Sequence, residues 1–341
     1  MRKSIPVYFV FIFLSLPLLR AQEPIPNSKG WNGYVRLGVG YLHFRNNQVA
    51  QFMSYRLNET QIESIDEVPT PQNTALLTFP LEIGYTFVPY KTHIFIGNQI
   101  EDLIRFDVPQ QLGFKQRLWS FGTLHTGLLY TGLPTKVWED PFLTNAERTA
   151  TARTAFGYLV ALDQIGGSGF RVQYAYRDVR LKTERSGASL NLVSEDQALL
   201  DRNGAMHSVK IWYRFFFQQK HRVSPELELI SDKRKGEARS RTNYHLAVNY
   251  IRNFKKLMFI SNARIGWSTY DAVHPVYGVK QFDRKYGLTI STFVANPWNY
   301  KLFGDKPWRF VFTVGYNYVD ANIEFYQQRG LMLQTGLFTR W

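Results

Sequence analysis

Apolar side chains recur at every second position along most of this chain, and this alternation limits the possible folds more than any other feature. Neighbouring side chains of a β-strand point to opposite faces, so such a segment has one apolar and one polar face. The pattern recurs in residues 170–177, 208–217 and 308–318. It is clearest in residues 73–87, whose apolar face holds Ala75, Leu77, Phe79, Leu81, Ile83, Tyr85 and Phe87. The alternation predicts an all-β protein whose sheet separates an apolar medium from water.

The alternating segments number about fourteen, and an even count is what bacterial single-chain barrels require. Most of them are close to the 9–11 residues that a tilted strand needs to cross a bilayer. We therefore predict an antiparallel transmembrane β-barrel over residues 31–341, with twelve or sixteen strands as alternatives. The predicted strands are 31–45, 73–87, 93–101, 104–117, 122–131, 153–165, 170–180, 207–217, 223–231, 242–251, 257–268, 284–294, 308–318 and 331–341.

The connections between these segments alternate in length, as expected for an outer-membrane barrel with short periplasmic turns and longer external loops. Two joins, 102–103 and 295–307, break this rule. A barrel of about fourteen strands is too wide to be filled by strand side chains alone, so long loops are candidates for folding inward. The predicted short turns are 88–92, 118–121, 166–169, 218–222 and 252–256, and the predicted long loops are 46–72, 132–152, 181–206 and 269–283.

The chain ends on an alternating strand whose last residue, Trp341, is in phase with the preceding apolar face. A terminal aromatic residue in this position resembles the signal read by the barrel-assembly machinery, which makes Trp341 the predicted assembly signal and that machinery a predicted partner. A soluble β-sandwich is the rival fold, because its sheets also alternate. The apolar face here is rich in Tyr, Trp and Phe along nearly every strand, which favours the barrel.

The N-terminus has the pattern of an export signal. Two basic residues precede an apolar run from Ile5 to Leu19, and the small residue Ala21 follows. This order predicts a signal peptide over residues 1–21, a short periplasmic segment over 22–30, and a location in the bacterial outer membrane. An uncleaved N-terminal anchor is the alternative, although the run is short for a span of about 20 residues. The sequence contains no cysteine, so no disulfide framework supports the fold.

Assigning the apolar face to lipid leaves a lumen-facing set in which basic residues outnumber acidic ones about two to one. The formal charge is +14, of which about +11 stays once the signal peptide is removed. Rings of Arg and Lys favour anions, so we predict a passive channel of porin type for small anionic solutes. The basic members are Arg36, Arg105, Lys115, Arg117, Arg153, Arg171, Arg177, Lys210, Arg214, Arg264, Lys285 and Arg309. The acidic members are Glu82, Glu101, Asp107, Asp163, Glu226 and Glu228.

Other interpretations of the basic residues stay open. The arginines could pair with the acids and brace the interior of a closed barrel. The protein could also be a non-conducting surface or structural protein that acts through its external loops. A transporter of hydrophobic substrates would need an apolar path, which the basic lumen disfavours. Basic loop residues could meet acidic lipid at the membrane surface, namely Lys233, Arg234, Lys235, Arg239 and Arg241.

The sequence carries no common motif for catalysis or for metal binding. It contains no Gly-x-Ser-x-Gly, no Walker-type loop and no His-Glu-x-x-His. His125, His207, His245 and His274 are scattered, with no serine or acid at a spacing that indicates a catalytic group. We expect no enzymatic activity, no catalytic residues, no metal, no cofactor and no nucleic-acid partner. The expected surroundings are the lipids of the outer membrane.

Several short segments are similar to an uncharacterised family of bacterial outer-membrane proteins, known only as a domain of unknown function. The resemblance implies an outer-membrane barrel, and it brings no activity and no functional residues. The segments are Phe79-Pro80-Leu81-Glu82-Ile83-Gly84-Tyr85-Thr86-Phe87, Trp138-Glu139-Asp140-Pro141-Phe142, Arg185-Ser186-Gly187, Leu200-Asp201-Arg202-Asn203-Gly204 and Asn322-Ile323-Glu324-Phe325-Tyr326.

Overall fold

The computed structural model describes residues 25–52, 55–98, 110–131, 135–218, 220–296 and 307–341. Fourteen long strands form the wall of a barrel. They are β1 Gly30–Arg45, β2 Gln72–Thr78 continued by Leu81–Phe87, β3 Thr92–Asn98, β4 Gln110–Leu118, β5 Gly122–Tyr130, β6 Ala150–Asp163, β7 Phe170–Leu181, β8 Gly204–Tyr213 continued by Phe215–Phe217, β9 His221–Arg234, β10 Arg241–Asn253, β11 Leu257–Val273, β12 Lys280–Ala295, β13 Trp308–Ala321 and β14 Gln328–Arg340.

Each strand pairs in antiparallel fashion with its neighbours in sequence, and β1 closes the ring by pairing with β14. The closing ladder runs from Tyr34 opposite Arg340 to Arg45 opposite Arg329. The prediction of a closed antiparallel barrel of fourteen strands is therefore confirmed. The predicted signal peptide and residues 22–24 lie outside the described residues, as does the predicted join at 102–103.

A proline interrupts β2 without shifting its register. Pro80 has no backbone N–H and cannot donate to the ladder. Its carbonyl still accepts a hydrogen bond of 2.9 Å from the backbone N–H of Arg36. Gly38 opposite Thr78 and Val35 opposite Leu81 belong to the same register. The interior and exterior faces predicted for 73–87 therefore hold along the whole strand.

The outer surface of the barrel carries a wide apolar band, with Val39, Leu77, Phe156 and Ile265 all more than half exposed. Aromatic contacts border this band at both ends. One set contains Trp31 with Tyr85 and Tyr213 with Phe215, and the other contains Tyr244 with Trp267 and Tyr286 with Tyr318. Apolar bands flanked by aromatic girdles are typical of bacterial outer-membrane barrels. The protein is thus a transmembrane β-barrel of the outer membrane.

Several strands extend past their predicted ends on the side of the long loops, and there the predicted boundaries are wrong by up to five residues. The segment predicted as 257–268 continues to Val273, and that predicted from 284 begins at Lys280. Some outward side chains in these extensions are charged, and Lys233 forms an ion pair with Asp271. Apolar alternation ends at the edge of the lipid, whereas backbone pairing continues into water.

The long loops contain short elements that the alternation did not predict. Val49–Phe52 and Tyr55–Arg56 form a small hairpin, and Thr135–Trp138 pairs with both this hairpin and β6. A single helical turn, α1, covers Ser194–Ala198. Within the described ranges, no helix is long and apolar enough to cross a bilayer.

The first long loop, between β1 and β2, packs against the inner wall of the barrel. Leu57 is almost fully buried there against inward-facing side chains of β1, β2 and β14. This packing gives part of the lumen an apolar filling, in line with the expectation that long loops fold inward. The buried members of this cluster are Leu42, Phe44, Leu57, Leu76 and Met332.

Candidate solute site beneath the loop cap

Loops from different sides of the barrel meet at the long-loop end, which is the external end in the usual orientation of such barrels. Their side chains form one apolar cluster, which we call the cap. The strands that these loops join are spread around the barrel, so the cluster extends across the mouth. Its buried members are Phe142, Leu200, Ala321, Ile323, Phe325 and Tyr326, and Ile62, Ile65, Leu190, Leu192, Val276 and Tyr277 pack against them.

Asp140 ties two of the cap loops together. Its Oδ1 accepts hydrogen bonds of 3.0 Å from the backbone N–H of Phe142 and of Gly187. Its Oδ2 accepts one of 2.8 Å from the N–H of Ser189. Carboxylates that accept several backbone N–H bonds fix loop geometry, because each bond is charge-assisted.

Arg202 makes a second connection between the same loops. Its Nε lies 2.8 Å from Oε2 of Glu184, and its guanidinium donates to the carbonyls of Trp138 and Glu139 at 2.7 and 2.9 Å. Burial alone would raise the pKa of Glu184, but the hydrogen bond and charge of Arg202 hold that pKa below its usual value. Both side chains are largely buried, and each supplies the opposite charge for the other.

Four of the five segments that carry the family resemblance lie in or beside the cap. Phe142, Leu200 and Phe325 belong to its buried cluster. Gly187 binds Asp140, and Arg202 binds the carbonyl of Trp138. Nothing in the sequence indicated that these segments lie together, because they are far apart in the linear order of the chain.

A buried histidine lies within the cap. His274 is fully buried, and its Nε2 lies 2.7 Å from the hydroxyl of Tyr326. Its ring contacts those of Phe142 and Tyr277, with centroids 5.8 and 4.9 Å away. Burial, assisted by the charge of Arg239, lowers the pKa of His274 to about 3. The neutral ring is therefore the form that the packed cap accommodates.

A cavity of about 360 Å³, which we call the chamber, lies in the lumen and has the cap residue Tyr326 in its lining. Side chains from β6 to β14, together with β1 and the first loop, line it. Its apolar lining comprises Phe44, Val49, Val137, Leu181, Met206, Ile230 and Val319. Its charged lining comprises Arg153, Arg177, Arg202, Arg234, Arg239, Arg241, Arg264, Lys285, Asp232 and Asp283. Seven arginines and one lysine thus face two aspartates.

Both aspartates of the chamber already have partners. Asp232 lies 2.6 Å from a guanidinium nitrogen of Arg234 and 3.2 Å from Nε of Arg241. Asp283 accepts hydrogen bonds from the hydroxyl of Tyr270 and from the amide of Gln281, at 3.1 and 2.8 Å. The basic excess of the lining is therefore not balanced by these two carboxylates.

Four of the lumen-facing residues predicted from sequence, Arg153, Arg177, Arg264 and Lys285, line this one chamber. Lys285 donates a hydrogen bond of 2.8 Å to the side-chain oxygen of Asn243. A guanidinium nitrogen of Arg264 donates to the side-chain oxygen of Asn317 at 3.5 Å. Their strands, β6, β7, β11 and β12, bring residues from distant parts of the sequence to one cavity.

Other residues predicted to face the lumen form ion pairs with acidic residues. This is the arrangement expected if basic and acidic side chains brace the interior of the barrel. Arg171 and Arg214 both bind Asp163, the former at 3.5 Å. Lys210 lies 3.2 Å from Glu226 and 3.8 Å from Glu228. These groups lie outside the lining of the chamber.

The remaining predicted residues have mixed surroundings. Arg36 is buried and donates to Thr313 and Gln334 at 3.0 and 2.5 Å, and Arg117 donates to Gln164 at 2.6 Å. The ammonium of Lys115 lies 4.5 Å from the ring centre of Phe95, and Arg309 lines a cavity at the short-turn end. Arg105, Glu101 and Asp107 lie outside the described residues.

The backbone of Trp341 pairs with Gly33 of β1, so the terminal residue takes part in the pairing that closes the barrel. Its role as an assembly signal stays a prediction.

Sequence reasoning missed four basic residues of the chamber. Arg234, Arg239 and Arg241 were predicted in an external loop, and Arg202 appeared only within a segment of the family resemblance. Arg239 stacks on Tyr326 at 4.5 Å, which turns it from the β9–β10 connection towards the lumen. Every second side chain of β9 and β10 faces inward. Extending this alternation beyond the apolar segments identifies Arg234 and Arg241 as inward-facing residues.

Comparisons with known proteins give one matching family and several similar solved structures. A family described as a protein of unknown function (DUF2860) matches residues 30–338. No curated protein matches the sequence. A deltaS2 mutant of the TodX monoaromatic hydrocarbon channel is 9% identical, with a TM-score of 0.46 over 92% of this chain and 90% of that one. An outer-membrane channel from Pseudomonas putida F1 is 9% identical, with a TM-score of 0.44 over 93% of this chain and 97% of that one. The DcaP channel of Acinetobacter baumannii is 8% identical, with a TM-score of 0.39 over 92% and 99% of the two chains.

Proposed function

The chain belongs to the DUF2860 family of proteins of unknown function, and we propose that it is a passive outer-membrane channel whose lumen favours anions. The observation that carries the proposal is the charge of the chamber, where seven arginines and one lysine face two aspartates. Basic groups that line a pore attract anions and repel cations. Low-dielectric walls strengthen this effect, because they focus the field into the opening.

The opposite end of the barrel supports the same direction of selectivity. A cavity of about 510 Å³ at the short-turn end has four basic residues in its described lining, Lys220, Arg222, Arg309 and Arg340, and no acidic one. A smaller cavity of about 210 Å³ beside it contains Lys115 and Arg340 together with Glu82. An anion that crosses the barrel would thus meet basic side chains near both ends.

A second candidate function is a non-conducting surface protein that acts through its external loops. The cap favours this alternative, because a packed apolar cluster across the mouth would obstruct the movement of solutes. The two functions differ in one measurable property, which is whether ions pass through the folded barrel.

The test is the single-channel conductance of the full-length protein in a planar bilayer, with the reversal potential taken under a salt gradient. We expect stable conductance with anion preference. The double variant Arg177→Gln, Lys285→Gln should shift the reversal potential towards cations. Arg284→Gln is the matched control, since Arg284 precedes Lys285 on the outer face of the same strand and its side chain is 64% exposed. That control should leave selectivity unchanged.

The cap provides a way to separate a closed channel from a barrel that never conducts. Phe142→Ala removes a ring from the centre of the cap and should increase the open probability. A folded protein that stays silent both with and without this substitution would refute the channel and support the surface-protein alternative. Conductance with cation preference would refute the anion-favouring lumen.

A further inference from the structure

We propose that the chamber is a binding site for small organic molecules that carry two or more carboxylate or phosphate groups. This inference rests on the proposed channel function and specifies its solute. The chamber would hold such a molecule beneath the cap during passage, so that transport saturates with solute concentration.

The first argument is the arrangement of the cations around the chamber. Arg153 and Arg177 extend from β6 and β7, whereas Arg264 and Lys285 extend from β11 and β12. Three strands separate the two pairs in one direction around the ring and seven in the other. All four side chains line the same cavity of about 360 Å³. A molecule with anionic groups at both ends can therefore contact both pairs at once.

The second argument is that several guanidinium groups are already held in place. Asp232 orients Arg234 and Arg241, and the rings of Tyr270 and Tyr326 lie 5.7 and 4.5 Å from the guanidinium carbon of Arg239. Planar guanidinium groups bind carboxylate and phosphate oxygens in bidentate fashion. Groups that are ordered before binding lose less conformational entropy when the anion arrives.

The third argument is a buried amide donor in the lining of the chamber. Nε2 of Gln48 is buried, and within the described part of the chain it has no hydrogen-bond acceptor. Gln48 lines the chamber, and its Oε1 lies 3.5 Å from the guanidinium of Arg239. Buried polar groups are normally hydrogen-bonded, so an acceptor on a molecule bound in the chamber would satisfy this donor.

The fourth argument is that the rest of the lining suits an organic body more than an inorganic ion. Phe44, Leu181, Met206, Ile230 and Val319 contribute apolar surface between the cations. Ligand sites commonly combine apolar walls with a few placed polar groups, in volumes from about 300 Å³ upward. The chamber has that composition and that size.

The experiment is isothermal titration calorimetry of the full-length protein in detergent with four probes. Citrate presents three carboxylates, fructose 1,6-bisphosphate presents two phosphates, acetate presents one carboxylate and glucose presents no charge. We expect saturable binding of citrate or of the bisphosphate, about ten-fold or more tighter than that of acetate. Whichever of the two binds more tightly identifies carboxylate or phosphate as the preferred group.

Variants connect the binding to the chamber. Arg177→Gln and Arg264→Gln should each weaken citrate or bisphosphate binding about ten-fold or more. Arg264→Lys keeps the charge but not the bidentate geometry and should lose less than Arg264→Gln. The outward-facing Arg284→Gln should bind like the unmodified protein. Circular dichroism confirms that each variant retains its β-structure.

Several results would overturn the inference. No saturable binding of citrate or of the bisphosphate would do so, as would acetate binding of equal strength or an equal loss in Arg284→Gln. The outcome is separable from the channel function. Anion-selective conductance without saturable binding refutes the chamber site and leaves the channel in place. Saturable binding by a silent barrel refutes the channel and leaves the site in place.

Discussion

Replacing Phe142 with alanine should open the cap and leave the barrel intact. Phe142 is 1% exposed and stacks on Phe325 with ring centroids 5.2 Å apart. It also contacts His274 and Tyr277, so its ring fills space between loops from separate parts of the chain. Buried Phe→Ala substitutions cost about 3–5 kcal/mol, through the lost burial and the cavity left behind. The cap bears this cost locally, because the ladder hydrogen bonds of the barrel do not involve Phe142.

That cost converts to a change in the open population of the cap. About 1.4 kcal/mol corresponds to a factor of ten, so the population should rise by roughly 100- to 4000-fold. Hydrogen exchange of loop amides measures such local opening directly. Amides of the cap loops should exchange faster by a comparable factor in Phe142→Ala, while the amides of β9 to β13 keep their protection.

Trp119→Ala serves as the matched control. Trp119 is an aromatic residue of the turn after β4, at the opposite end of the barrel, and it is 86% exposed. Its removal should leave exchange in the cap loops unchanged. Unchanged exchange in Phe142→Ala itself would refute the reasoning, since it would show that the apolar cluster does not hold the loops together.

Three further predictions concern charge. Lowering the pH should weaken the cap, because the pKa of His274 is about 3 in the folded protein and its ordinary value is 6.5. The stability that the neutral His274 gives to the cap is fully present above pH 6.5. It is lost as the pH falls towards 3, by about 2–3 kcal/mol at pH 4.5. Hydrogen exchange of the cap amides, compared above pH 6.5 and at pH 4.5, checks this. A His274→Gln variant should lose this pH dependence. Glu184→Gln should destabilise its loop by about 3 kcal/mol, because Arg202 would keep a buried charge opposite a neutral amide. Proteolysis within residues 182–203 should then be faster, and equal rates would contradict the expectation. Asp163→Asn removes the carboxylate that binds Arg171 and Arg214. It should lower the thermal unfolding temperature and shift the reversal potential further towards anions, whereas an unchanged potential would place these arginines outside the ion path.

The fold could be predicted from the sequence because the alternation of a barrel strand is a local property. Each strand must present apolar groups to lipid at every second residue, so the segment itself records which side chains face inward. Arg177 and Lys285 were placed towards the lumen by this parity alone, and both line the chamber. The same reasoning failed where the lipid ends, since the outward residues Lys233 and Asp271 carry charge although their strands continue.

The candidate site could be predicted only in part. Parity identifies inward residues, but it does not tell which of them share a cavity or have a partner. Arg171 and Arg214 are 43 residues apart in the sequence, yet both bind Asp163. Arg239 was expected in an external loop, and its stacking on Tyr326 turns it towards the chamber.

The alternation thus predicted a barrel of about fourteen strands and the side chains that face inward, because both follow from residue type at a period of two. The cap and the chamber appear only in the folded barrel. Phe142, Leu200 and Phe325 follow no shared periodicity, and they meet only because ring closure brings the ends of distant strands to one mouth. Contacts across a lumen depend on that closure, which no short stretch of sequence encodes.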